Sequence, residues 1–152
     1  MKLICLIPIA TLALLAQSIT SAELIFGPES DEWETLYEPA FKSPEEVPRG
    51  SELRKTLFNL ARPKLEKLAG QSIRFNGSLK AYRNWALFLG ESVDANGNSI
   101  AYPDLQNSDT VVLFLRTADR WVVVDYSGGH GDVFYEIWIE QYGMPRPLLL
   151  AP

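Results

Sequence analysis

Apolar positions crowd most densely between Thr110 and Tyr142. Thr110–Arg116 and Trp121–Tyr126 are rich in Val, Leu, Phe and Trp, and the polar Ala118-Asp119 step joins them, a pattern that predicts a β-hairpin. Upstream, Ser72–Ala81 alternates: Ile73, Phe75, Gly77, Leu79 and Ala81 fall on one parity, with Ser72, Arg74, Asn76, Ser78 and Lys80 on the other. A strand with one buried face is expected there. Asn76-Gly77 could also form a tight hairpin turn, but the alternation running through it favours a glycine inside the strand. A turn at Tyr82–Asn84 leads into a further strand over Trp85–Glu91. Trp85–Leu89, Val111–Leu115 and Trp121–Val124 are apolar on both parities, so the middle of the sheet needs cover on both faces.

Helical spacing appears twice. Leu53, Leu57, Leu60, Ala61, Leu65 and Leu68 make one stripe between Ser51, an N-cap, and Gly70, a terminator. Pro63 lies inside that helix and predicts a kink or break near Ala61-Arg62. Phe134, Ile137, Trp138 and Tyr142 recur between Asp132 and Gly143, with Pro145 and Pro147 beyond. The end signals favour a helix over Val133–Tyr142, although its β-branched and aromatic residues also suit a strand. Ser92–Ser108, rich in Asp, Asn, Gly, Pro and Ser, reads as a long loop of the kind often given to function. The expected fold is therefore α+β: a kinked N-terminal helix packed on a four-stranded antiparallel meander, with a C-terminal helix. The helix covers one face; the C-terminal segment, an N-terminal arm or a second subunit covers the other.

The chain has 152 residues, 47% of them hydrophobic and 22% charged, which suits one globular domain. Residues 1–22 read as a secretory signal peptide: Met1-Lys2, the apolar run Leu3–Ala16, and small residues at Thr20-Ser21-Ala22 before a cut after Ala22. The run is short of the roughly 20 residues a membrane span needs, so an uncleaved anchor is the weaker reading and no span is expected after cleavage. Cys5 lies within the signal, leaving a mature chain without disulfides, thiolate nucleophile or cysteine-bound metal. Export without bridges suggests a periplasmic or secreted bacterial protein. Residues 23–48 form an acidic, proline-containing arm too broken for a long regular element, and residues 49–152 form the domain. A net charge of −5 leaves no basic groove for phosphates, so nucleic acid is not an expected partner.

Candidate chemistry gathers at Ser127–Asp132, which holds the only histidine. His130 has an imidazole suited to general base work, with Asp125 or Asp132 to orient it and Tyr126 or Tyr135 nearby. No activated nucleophile accompanies it, and the glycines, an Asp132 cap and a solvated His130 explain the same residues as a chain reversal. His130, Asp132 and Glu136 make a poor metal set, and Asp132 would repel a phosphate at the helix start. No metal or cofactor is expected. Asp94–Asn98 fails the calcium-loop register at Ser99 and Leu105, so a turn at Asn96-Gly97 is expected. Arg49, Arg54, Arg62 and Arg74 are better explained by solvation and bridges to the acidic arm than by an anion site. Trp33, Trp85, Trp121 and Trp138 with several tyrosines are core by default, or else a binding surface. The residues expected in binding are Trp33, Tyr37, Tyr102, Asp104 and His130.

Arg49-Gly50, Arg54, Arg62-Pro63, Glu66, Trp85-Ala86, Trp121, Val123-Val124, Gly129, Asp132, Trp138, Tyr142-Gly143 and Pro145 form a skeleton. It resembles one in small exported bacterial proteins of unassigned function, over about Pro48–Leu149. More loosely, a helix before a meander ending in LRTADRWVVVD is similar to cystatin-like and NTF2-like α+β rolls, which host enzymes, binders and inert partners alike. The expected function is an exported, non-catalytic interaction module that engages a protein partner in the cell envelope, or else a small ligand, through the aromatic face and the Ser92–Ser108 loop, in one version an inhibitor or immunity protein. The alternatives are a small cone-shaped NTF2-like enzyme using His130 as base, and an envelope structural protein that forms a homodimer through an exposed sheet face.

Overall fold

Five strands run in chain order through a single antiparallel sheet: β1 (Phe41–Glu46), β2 (Arg74–Arg83), β3 (Trp85–Val93), β4 (Asp109–Thr117) and β5 (Arg120–Gly128). Helix α1 (Glu52–Ala69) connects β1 to β2, and α2 (Phe134–Tyr142) leads into a 3-10 turn at Arg146–Leu149. The structure, a computed structural model, describes residues 40–103, 107–118, 120–129 and 134–149.

The strand count corrects the expected four-stranded meander. The additional strand, β1, comes from the acidic arm and was hidden because it buries almost nothing: after Phe41 every residue of it is exposed. Backbone pairing to β2 holds it, with Phe41 opposite Arg83 and Glu46 opposite Lys80. Arg54 on α1 supplies the lock. Only 6% exposed, its guanidinium donates to Val47 O at 3.0 Å and Gly77 O at 2.7 Å, and sits 3.6 Å from the Glu46 carboxylate. Glu46 in turn accepts from Ser78 Oγ at 2.6 Å and Leu79 N at 3.1 Å. Burial lowers the pKa of Arg54, while Glu46 pulls it back; a guanidinium still keeps its charge.

Helix α1 starts where Ser51 accepts from Arg54 N at 3.2 Å and ends at Gly70, whose φ of 68° is left-handed. It runs on through Pro63, so of the kink or break expected near Ala61-Arg62 the break does not occur. Pro63 is exposed, so the carbonyl that loses its donor can turn to water.

The sheet carries a core on each face. On one, Leu57, Ala61 and Leu65 of α1 pack over Leu79, Ala81, Ala86, Phe88, Val112 and Phe114. On the other, Trp138 of α2, with Met144 and Leu148, covers Trp85, Leu87, Val111, Leu113 and Leu115. The C-terminal segment is thus a second cover, over the face of β3 and β4 that α1 leaves. Two-sided burial explains the continuous apolar runs of β3 and β4.

A bulge in β5 decides where one acidic side chain goes. Phe114 pairs with Val123 and Leu113 with Asp125, leaving Val124 as the extra residue. Trp121, Val123 and Tyr126 pack on the α1 side, whereas Val122 and Val124 pack on the α2 side. Simple alternation would have sent Asp125 toward α1 with Val123. The bulge turns it to Leu113's face instead, beneath α2.

Candidate functional site

An open cleft of about 740 Å³ lies at the end of the sheet where α2 begins, lined by Leu89, Gly90, Glu91, Asp109, Phe134 and Tyr135, among others. Its floor is the β3–β4 ladder, and its wall is the first turn of α2. Register sets the chemistry: Glu91 and Asp109 are directly opposed across that ladder. The pairing sets two carboxylates side by side on one face of the ladder, beside two aromatic rings. The rings of Phe134 and Tyr135 meet edge-on, with centroids 5.7 Å apart.

Glu91 is a fixed anion. Its carboxylate accepts from Ser99 Oγ at 2.6 Å, from Asn76 Nδ2 at 2.9 Å and from Ser108 Oγ at 3.5 Å. Those bonds, Ser99's first, hold its pKa below the ordinary glutamate value. They also pin the loop between β3 and β4 to the cleft. Asp109 is exposed, and its carboxylate has no hydrogen-bond or ion-pair partner among the described residues.

The loop is partly ordered by its own side chains. Asp94 accepts from Asn96 N, Asn98 N and Asn98 Nδ2 at 2.7, 2.9 and 2.9 Å, closing the turn expected at Asn96-Gly97. Asn98's side chain is the leading reason that the pKa of Asp94 lies below its usual value. Tyr102 turns inward: it is 2% exposed, its ring lies over Gly128, and its hydroxyl is 2.6 Å from Ser92 Oγ and 3.3 Å from Thr110 Oγ1. It anchors the loop from inside, which removes it from the surface proposed for binding.

Asp125, expected to orient a catalytic imidazole, is engaged elsewhere. Its Oδ2 accepts from Trp138 Nε1 at 2.8 Å and from Tyr142 Oη at 3.2 Å, so it clamps α2 to the sheet. Burial, then the nearby Asp125 charge, raises the pKa of Tyr142 above its ordinary value. Trp33, Tyr37, Asp104, His130 and Asp132 lie outside the described residues. No family model, curated protein or solved structure matches this chain.

Among the described residues, no three His, Cys, Asp or Glu side chains gather around a metal-sized position, and no helix is long and apolar enough to cross a membrane. Of the four arginines weighed as an anion group, Arg54 is committed to the β1 lock, Arg62 bonds Asn59 at 2.7 Å, and Arg74 donates to Ala95 O at 3.0 Å. The cleft itself was missed at the sequence level. Neither Glu91 nor Asp109 belongs to a motif, and their pairing depends on a register that only the folded sheet sets.

Proposed function

We propose that this chain is a non-catalytic interaction module, exported to the bacterial envelope, that binds a protein partner by receiving a lysine or arginine side chain in the Glu91/Asp109 cleft. The opposed carboxylates carry the reading. The fold already holds the Glu91 anion through Ser99, Asn76 and Ser108, and an inbound cation meets both that charge and the Asp109 carboxylate across the ladder. Phe134 and Tyr135 offer apolar and π surface to the methylene stem and the charged head. The overall charge of −5 steers a basic partner toward the molecule. An inhibitor or immunity role fits such a surface, because a rigid acidic cleft can occupy a basic site on its target.

Titration of the isotope-labelled chain with a trilysine peptide, followed by amide NMR, tests this. The expected shifts cluster at Gly90, Glu91, Asp109, Phe134 and Tyr135, weaken with added salt, and vanish in the Glu91→Gln/Asp109→Asn double variant. Shifts centred on Asp94 or on Glu136 and Glu140, or shifts unchanged by the double variant, refute the assignment.

A further inference from the structure

The two edges of the sheet are built differently. β1 carries Lys42, Pro44, Glu45 and Glu46 along an exposed strand, the kind of residues that stop an edge recruiting another strand. In β5, RWVVVDYSG, the bulge at Val124 and the inward-turned Asp125 blunt the far half of the edge, but Arg120–Val123 before them holds neither proline nor lysine, and among the described residues no strand pairs with its outer side.

The direction of its backbone groups follows from the neighbouring hydrogen bonds. Arg116 N donates to Asn84 O at 2.7 Å, away from β5, and Arg116 stands opposite Trp121. That opposition is a non-hydrogen-bonded pair, so the N–H and C=O of Trp121 also point away from β4. Val123, two residues on, repeats the orientation, while Val122 between them turns its groups toward Leu115. Trp121 and Val123 therefore each present a backbone donor and acceptor that no strand among the described residues pairs with.

We propose that Arg120–Val124 is a self-pairing edge through which two copies of this chain join antiparallel about a two-fold axis at Val122. Trp121 of each copy exchanges both backbone bonds with Val123 of the other, giving four new ladder bonds. The side-chain faces agree in this register. Trp121 and Val123 both lie on the α1 side, and Val122 and Val124 both lie on the α2 side. Trp121 thus meets valine, Val122 meets its own copy, Arg120 lies along Val124, and no like charges are opposed. The occupant is a second copy because the same five residues satisfy both halves of the contact. The bulge at Val124 ends the ladder and limits it to a dimer-sized contact, which makes the association concentration-dependent.

Sedimentation of the full chain between about 10 μM and about 1 mM should show the mass rising from one chain toward two. Over the same range the Trp121 and Val123 amides should gain about tenfold or more in hydrogen-exchange protection, while Val122, already bonded to β4, should not change. Val123→Pro removes one outward donor at a site where an edge tolerates proline, and should leave a folded monomer. A mass of one chain throughout, concentration-independent exchange at Trp121 and Val123, or a folded Val123→Pro variant that still dimerises would each overturn the proposal. If the variant unfolds, the wild-type exchange pattern decides alone.

Discussion

Asp125→Ala tests the clamp between the sheet and α2. The substitution removes the acceptor of two bonds, from Trp138 Nε1 at 2.8 Å and Tyr142 Oη at 3.2 Å. Bonds to a charged group are worth about 1.5–3 kcal/mol each. The site is only part-buried, and water can reach the Tyr142 hydroxyl more readily than the indole of Trp138, which is 3% exposed. Stranding that indole N–H adds its own desolvation cost of about 1–3 kcal/mol, which overlaps with the lost bond and does not simply add. The expected loss is about 2–4 kcal/mol, or roughly 6–12 °C in Tm for a chain of this length. Urea unfolding followed by tryptophan fluorescence should show a lower midpoint with an unchanged slope. A cycle with Trp138→Phe isolates the pair and should return about 1.5 kcal/mol or more of coupling. A loss under about 0.5 kcal/mol for Asp125→Ala, a value typical of plain surface substitutions, would refute the clamp.

Two further outcomes are expected. Arg54→Ala strands Val47 O and Gly77 O and should cost about 3 kcal/mol, whereas Arg54→Lys, with one ammonium for two separated carbonyls, should recover only part of it; urea midpoints check both. Because folded Tyr142 keeps its proton to a higher pH than the unfolded chain does, its contribution is whole below the ordinary value of 10.0 and is lost as pH rises through the raised folded value. Alkaline melting curves of the wild type should fall more steeply than those of Tyr142→Phe.

The sequence made α1, the β4–β5 hairpin and the two-faced sheet legible, because each is written in apolar spacing: Leu57, Ala61 and Leu65 for the helix, and the unbroken VVLFL and WVVV runs for the strands. β1 was not legible. FKSPEE buries almost nothing and is held by backbone bonds and by one arginine from α1, so no periodicity marks it. The bulge was equally silent, since WVVVDY fits either face until Val124 is left unpaired, and Asp125 was accordingly read toward an imidazole rather than toward α2. Tyr102 resembled a surface aromatic because it sits in a polar loop; the bare Gly128 that gives its ring room lies 26 residues further along the chain.

Every strand from β2 to β5 pairs with the strand next to it in sequence, and only β1 must wait for a helix to be threaded before it finds its neighbour. A chain wired this way has low contact order for a β-rich molecule, so its zippering can begin from any of three hairpins without a long entropic search. The acidic first strand borders that meander from outside, and only Phe41 of it reaches either of the two oily layers.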